Sequence, residues 1–262
     1  MQIQYGDVAV TVTEGVATVE LQRPPHNLLD FALLQTLATA FESLDHEAYC
    51  RAIVLASVGT HFCAGAHFSY LQGQAEQQTW SADAGNPWYA EVVRLYACRK
   101  PVIGAIHGAA IGGGFGLALV PDFRVLCPET RLAANFVTLG FHPGSGLSLV
   151  LPRVIGPQRA ALLCYTGRRI GGEEAFAWGL GDVLTTQANV RNAALELAHE
   201  IAANAPQAVQ SVRATMRDGL AERVRAATAH EYREQHWLRQ THDHQEGLRA
   251  VAERRPARFI GR

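Results

Sequence analysis

Two short stretches rich in glycine and alanine constrain this chain more than anything else in it. They are His61-Phe62-Cys63-Ala64-Gly65-Ala66-His67 and Gly108-Ala109-Ala110-Ile111-Gly112-Gly113-Gly114-Phe115-Gly116. Each follows a short unbroken apolar run, Ala52-Ile53-Val54-Leu55-Ala56 and Val102-Ile103-Gly104-Ala105-Ile106, of the length and composition of a strand buried on both faces. A backbone leaving such a strand through glycine and alanine can approach another group closely, because no bulky side chain intervenes.

The rest of the pattern builds around these two units. Residues 8–12 and 16–21 flank Glu14-Gly15 and predict a hairpin. Asp30 reads as an N-cap ahead of the helical stripe Leu33, Leu34, Leu37, Phe41 and Leu44. Residues 73–87 are polar and irregular and are expected to form a mobile surface segment; residues 88–98 read as a helix. The glycine cluster leads into a helix reaching about Leu119, and residues 123–126 form a third buried strand. Repetition of strand, loop and helix predicts an α/β core with crossover connections. After Glu173 the pattern turns almost wholly helical, over 173–178, 190–204, 207–218 and long pieces within 221–254. The expected division is an α/β core over 1–195 and a C-terminal helical region over 196–262.

Charge excludes several functions. Twenty-three basic residues balance 24 acidic ones, a net charge of −1, so neither nucleic acid nor an anionic membrane is an expected partner. Residues 101–121 lack Asp, Glu, Lys and Arg and imitate a membrane span, but six glycines fit a strand, a turn and a helix start better. The five cysteines, at 50, 63, 98, 127 and 164, form no Cys-x-x-Cys pair, so free thiols in the cytoplasm are expected. Met1 to Asp7 lacks the layout of a signal peptide. His230-Glu231 is followed by Glu234, not a second histidine, so no His-Glu-x-x-His metal motif exists and no metal is expected. The loose histidine tract at 230, 236, 242 and 244 reads as a solvated helix face.

Either glycine stretch alone reads better as a tight turn with close helix packing than as a binding site. Together, each behind a buried strand, they match the two halves of an oxyanion hole made of backbone N–H groups. Reactions at the α- or β-carbon of an acyl thioester build charge on the carbonyl oxygen, and each preplaced donor contributes about 2.7–4 kcal/mol to stabilising it. Gly65-Ala66 and Gly112-Gly113-Gly114 suit that task, and a helix beginning at the second donor would add its positive end. A dinucleotide fingerprint is not present, because Leu117 stands where its third glycine would fall. A nucleophile elbow is not present either: Ser145 lies directly between Gly144 and Gly146, at the wrong offsets.

With these motifs the sequence resembles the crotonase superfamily, the enoyl-CoA hydratase/isomerase group. The likeness runs nearly end to end: Arg23-Pro24-Pro25-His26-Asn27-Leu28-Leu29, residues 52–66, 101–122, 139–156 and 167–179, Glu246-Gly247, and Arg254-Arg255-Pro256-Ala257-Arg258-Phe259. The resemblance implies an α/β spiral of ββα units, a C-terminal helical trimerisation region, and a homotrimer or dimer of trimers. It implies an acyl-CoA substrate in a bent conformation, with coenzyme A entering as part of the substrate and no tightly bound cofactor. By motif position it puts the oxyanion N–H groups on Ala66 and Gly113. It puts Ala66, His67 and Phe68 along the thioester and pantetheine, His26 and Ala64 near the nucleotide, and Arg258 with Phe259 against a neighbour's coenzyme A.

The sequence departs from the family at the two glutamates that commonly handle water and its protons: those positions are Gly116 and Phe136. A substitute must titrate near neutral pH and reach the reacting carbons. His142, in the turn Gly140-Phe141-His142-Pro143-Gly144, is the first candidate, and Tyr70, one helical turn beyond Ala66, the second. His107, Asp122 and Glu129 read as structural. The leading expectation is an acyl-CoA-processing lyase of the enoyl-CoA hydratase/isomerase type. The alternatives are a decarboxylase or a C–C or thioester hydrolase of the same fold using His142 or Tyr70, and a non-catalytic acyl-CoA-binding pseudoenzyme.

Overall fold

The computed structural model describes residues 2–67 and 86–262. Strands β1 (Gln2–Tyr5), β2 (Val8–Thr13) and β3 (Val16–Leu21) form an antiparallel meander. Its second turn holds Glu14 and Gly15 both at positive φ, 50° and 80°, the geometry that matches strand twist in a two-residue hairpin. Helix α1 (Phe31–His46) begins where expected, with the Asp30 carboxylate accepting the Leu33 N–H at 2.8 Å. Strand β4 (Ala52–Ser57) lies parallel to β3. Helix α2 (Pro87–Ala97) is capped by the Asn86 side chain, which accepts from Trp88 N at 2.9 Å.

Strands β5 (Val102–Ile106) and β6 (Ala109–Ile111), helix α3 (Gly113–Ala118), and strands β7 (Phe123–Leu126) and β8 (Arg131–Ala133) follow. Next come a 3₁₀ turn (Asn135–Leu139), α4 (Leu147–Ile155), α5 (Pro157–Thr166), β9 (Arg169–Gly171), α6 (Gly172–Ala177) and β10 (Val183–Leu184). Helices α7 (Val190–Ala202), α8 (Pro206–Met216), α9 (Leu220–Leu238) and α10 (His242–Ala252) complete the chain. The large sheet runs β1-β2-β3-β4-β5-β7-β10, parallel from β3 onward; a small sheet runs β6-β8-β9.

The alternation of a strand splits the core in two. Ile53 and Leu55 of β4 face the main core with Leu33, Leu37 and Phe41 of α1. Ala52, Val54 and Ala56 face the other side, with Ile103, Ala105 and Val125, under Ala194 and Ala198 of α7. Small residues on both surfaces let α7 lie close to the sheet. The expected boundary at residue 195 falls inside this sheet-covering helix, whose buried residues run from Val190 to Ala202.

The hairpin, α1, the three buried strands and the C-terminal helices lie within a few residues of their expected positions. Strands β1, β6, β8, β9 and β10 and helices α4 and α5 are additions. Each of these strands has only two to four residues, too few to show a period in sequence. After Glu173 the chain is helical as expected, apart from the two-residue strand β10 and the connections. Residues 101–121 resolve into β5, β6 and α3, and among the described residues no helix is long and apolar enough to cross a membrane. The segment expected to be mobile, 73–87, lies outside the described residues up to position 85. All five cysteines are free, and four of them are buried.

The two glycine-rich units cross at Gly114. A Cβ there would lie 2.1 Å from the Cys63 carbonyl oxygen and 2.8 Å from its Sγ. Gly114→Ala must push two main chains apart, so it is expected to cost about 3 kcal/mol and lower Tm by roughly 6–12 °C in thermal unfolding. Gly113→Ala, whose Cβ would meet nothing closer than 3.7 Å, should shift Tm far less.

Candidate active site

The first glycine-rich stretch is held in place by its own backbone. Phe62 N donates to His107 O at 2.8 Å, Cys63 N to Ala109 O at 3.0 Å, and Ile111 N to Cys63 O at 3.1 Å, which ties it to β6. On the other side Leu29 N donates to Gly65 O at 2.9 Å and His67 N to Leu29 O at 2.7 Å. This parallel bridge uses the groups flanking Ala66 and turns the Ala66 N–H itself away from Leu29. The entry is fixed by Asn27, fully buried at φ 48°, whose Nδ2 donates to Val58 O and His61 O at 2.7 Å each. Gly65 sits at φ 119°, which a side chain would strain.

The second stretch turns at Gly112, φ 54° and ψ −117°, where Gly112 N donates to Ala133 O at 2.9 Å. Gly113 is then the first residue of α3, so its N–H has no partner within the helix. Among the described residues neither the Ala66 nor the Gly113 N–H has a hydrogen-bond partner. Both residues line one cavity of about 110 Å³. Helix α3 has only six residues, so its macrodipole adds less than the sequence suggested and the N–H itself is the main interaction.

Trp88, Tyr89, Asn135, Phe136, Phe141, Ser145 and Gln235 make most of the remaining wall. Tyr89 brings a phenolic hydroxyl, both donor and acceptor, to this wall. Its hydroxyl donates to Gln235 Oε1 at 2.7 Å, and Gln235 Nε2 donates to His142 O at 2.9 Å. Of the two positions where the resemblance implies glutamates, Phe136 lines this cavity and Gly116 sits behind Ser145. Gly116 lies under Ser145, and a Cβ there would come within 2.6 Å of the Ser145 Cβ, so a glutamate would not fit without displacing the turn. Phe136 stacks on Phe141, ring centroids 6.5 Å apart.

His142 is not on this wall. Its ring faces a separate cavity of about 740 Å³ beside Tyr165 and Trp237, with Nδ1 2.7 Å from Pro143 O and an edge contact to His230 at 6.1 Å. A proline turn directs the backbone carbonyl of residue 142 inward to Gln235 and the imidazole outward. Tyr70 and Phe68 lie outside the described residues. His26 stacks on His61 at 5.2 Å and accepts the Ala64 N–H at 2.9 Å; the His67 side chain is exposed. Ala64 lines the 110 Å³ cavity with Ala66.

Arg258 and Phe259 belong to a tail tied to α10. Arg258 N donates to Glu246 Oε1 at 2.9 Å and Phe259 is exposed. His107 is half-buried with Nε2 3.1 Å from Gly59 O, and burial lowers its pKa. Asp122 is structural, accepting from Val102 N, Arg213 and Arg217. His244 departs from the expected solvated face: it is buried, with Nδ1 2.8 Å from Leu139 O. Cys63, wholly enclosed, has its thiol pushed up to about 12 by burial, which removes it as a nucleophile.

Sequence reasoning missed Trp88, Tyr89, Ser145 and Gln235 as parts of the site. The available signal was weak: a capped aromatic pair at the start of α2, a serine between two glycines, and a glutamine in a helix that reads as polar throughout.

A family model described as enoyl-CoA hydratase/isomerase matches residues 11–262. YngF of Bacillus subtilis (strain 168), whose name places it in the same group, is 32% identical over 250 residues, covering 95% of each chain. The carnitinyl-CoA dehydratase of Escherichia coli (strain K12) is 31% identical over 204 residues, 78% of this chain and 77% of that one. The crystal structure of an enoyl-CoA hydratase/isomerase from Pseudoalteromonas atlantica T6c superposes with a TM-score of 0.86 at 25% identity, covering 97% of this chain and 100% of the other. The fold is therefore the crotonase α/β fold with a C-terminal helical region, and the chain belongs to the enoyl-CoA hydratase/isomerase family of acyl-CoA-processing enzymes.

Proposed function

We propose that this chain is a lyase of the hydratase/dehydratase type, acting on an acyl-CoA thioester whose carbonyl oxygen is held by the N–H groups of Ala66 and Gly113. The observation that carries this reading is a pair of partnerless main-chain donors, from two separate strand–loop units, on one small and mostly apolar cavity. Donors fixed by neighbouring hydrogen bonds need no reorganisation as charge develops, and an apolar wall strengthens their effect. Coenzyme A enters with the substrate, past His26, Ala64 and His67. We assign proton transfer to the Tyr89 hydroxyl, since Gly116 and Phe136 offer none and His142 points elsewhere. The assembly proposed is a homotrimer or a dimer of trimers, and free thiols fit the reducing cytoplasm.

Crotonyl-CoA is the test substrate, with enoyl absorbance and free thiol followed together. Loss of absorbance without thiol supports the proposal. Thiol release favours a hydrolase, and binding without either change favours a pseudoenzyme.

Gly113→Pro removes one donor at the first helical position, where proline is well tolerated. It should lower kcat about 10²–10³-fold, while Gly113→Ala, which keeps the N–H, should stay within about tenfold of the parent. Tyr89→Phe should lower kcat by roughly 10²–10⁴-fold. His142→Ala should leave kcat within a factor of about three; a collapse of turnover there would return the acid/base role to His142.

A further inference from the structure

Helix α9 reads from sequence as a polar helix, yet its buried face is built for one task. Glu231 is fully buried and Gln235, one turn later, is 2% exposed. The Glu231 carboxylate accepts from Gly146 N at 2.8 Å, Ser148 N at 3.0 Å and Ser148 Oγ at 2.5 Å. Gln235 Nε2 donates to His142 O at 2.9 Å while its Oε1 accepts from Tyr89. The two side chains therefore hold both ends of the turn from His142 to Ser148.

That turn carries Ser145, which is buried at φ 60°, a strained backbone for a residue with a side chain. Ser145 lines the cavity and rests on Gly116 of α3, the helix that begins with the Gly113 donor. The turn has no slack at its centre: a Cβ on Gly144 would lie 2.2 Å from the Tyr89 hydroxyl and 2.7 Å from Gln235 Nε2.

We infer that Glu231 and Gln235 are positioning residues, a clamp by which the C-terminal helical region sets the wall of the catalytic cavity opposite Gly113 and orients Tyr89. The inference rests on reading that cavity as catalytic. Glu231 touches no cavity atom itself, so it acts through the turn. Burial raises its pKa to about 7, against the three donors that favour its charged form. The ionisable groups facing it from neighbouring helices are Tyr96 of α2 and Cys164 of α5. The native state thus holds the Glu231 proton more tightly than the unfolded chain. Its contribution to stability is complete below the ordinary carboxylate range and lost as pH rises through about 7.

The test compares the full chain with Glu231→Ala and Glu231→Gln. In Glu231→Ala, amide hydrogen exchange over residues 142–150 should rise at least about tenfold with the sheet unchanged. Turnover of crotonyl-CoA should lose at least tenfold in kcat with KM within about threefold. Glu231→Gln, which keeps one acceptor and loses the charge, should show a smaller rise in exchange. Its Tm relative to the parent should move upward between pH 4.5 and about 7.5. Unchanged exchange at 142–150 in Glu231→Ala overturns the clamp; faster exchange with unaltered kcat overturns its link to the site. If the parent chain does not turn over crotonyl-CoA, the lyase reading fails, while hydrogen exchange still decides whether the clamp exists.

Discussion

The contact between the Cys63 carbonyl and the Cα of Gly114 governs the geometry of the site. It is where two strand–loop units, leaving neighbouring parallel strands β4 and β5, touch main chain to main chain. Any side chain at 114 would separate them. With the side chain absent, β6 can bridge to Cys63, Leu29 can bridge to Ala66, and the two unused N–H groups border one cavity. The main-chain carbonyls that flank the two donors, Gly65 O, Leu29 O and Ala133 O, are already taken by the N–H groups of Leu29, His67 and Gly112. An unpaired main-chain N–H costs free energy where water is excluded, so its persistence at two adjacent points is informative in a way that a lone unmet donor is not.

The two positions at which the family resemblance implies glutamates are occupied by packing contacts. Gly116 is not an empty slot but a contact surface for Ser145, and Phe136 is part of an aromatic stack that continues through Phe141 to His244. Filling either position with a carboxylate would disturb a wall, not simply add a group. The cavity is accordingly more apolar than a two-carboxylate site, which strengthens hydrogen bonds to a carbonyl oxygen and penalises charge placed there without a partner.

The C-terminal region belongs to the same construction. Beyond the Glu231 and Gln235 contacts, α10 packs so closely on the 3₁₀ turn that a Cβ on Gly247 would lie 2.6 Å from the Leu139 carbonyl carbon. The tail folds back on α10 through Arg255 and Arg258 to Glu246, whose carboxyl the Arg255 guanidinium holds down to about 2. Asp243 accepts from Ile260 N and Gly261 N. The turn and 3₁₀ segment of the cavity wall thus depend on residues about 80 to 110 positions later in the chain.

Local pattern alone determined much of this protein. The two glycine-rich stretches, their buried strands, the Asp30 cap, the hairpin at Glu14-Gly15 and the likeness to the enoyl-CoA hydratase/isomerase family all lie in short contiguous segments, where period, turn chemistry and residue type are set by near neighbours. That positions 116 and 136 hold glycine and phenylalanine is equally plain in the sequence. Tertiary structure alone decided which way His142 points, that Tyr89, Ser145 and Gln235 share a wall with Ala66 and Gly113, and that Glu231 and His244 are buried in helices that look solvated. Those facts arise from contacts between elements far apart in the chain. A buried polar side chain is stable only where distant backbone donors or acceptors meet it, and composition along a single helix carries no record of where they are.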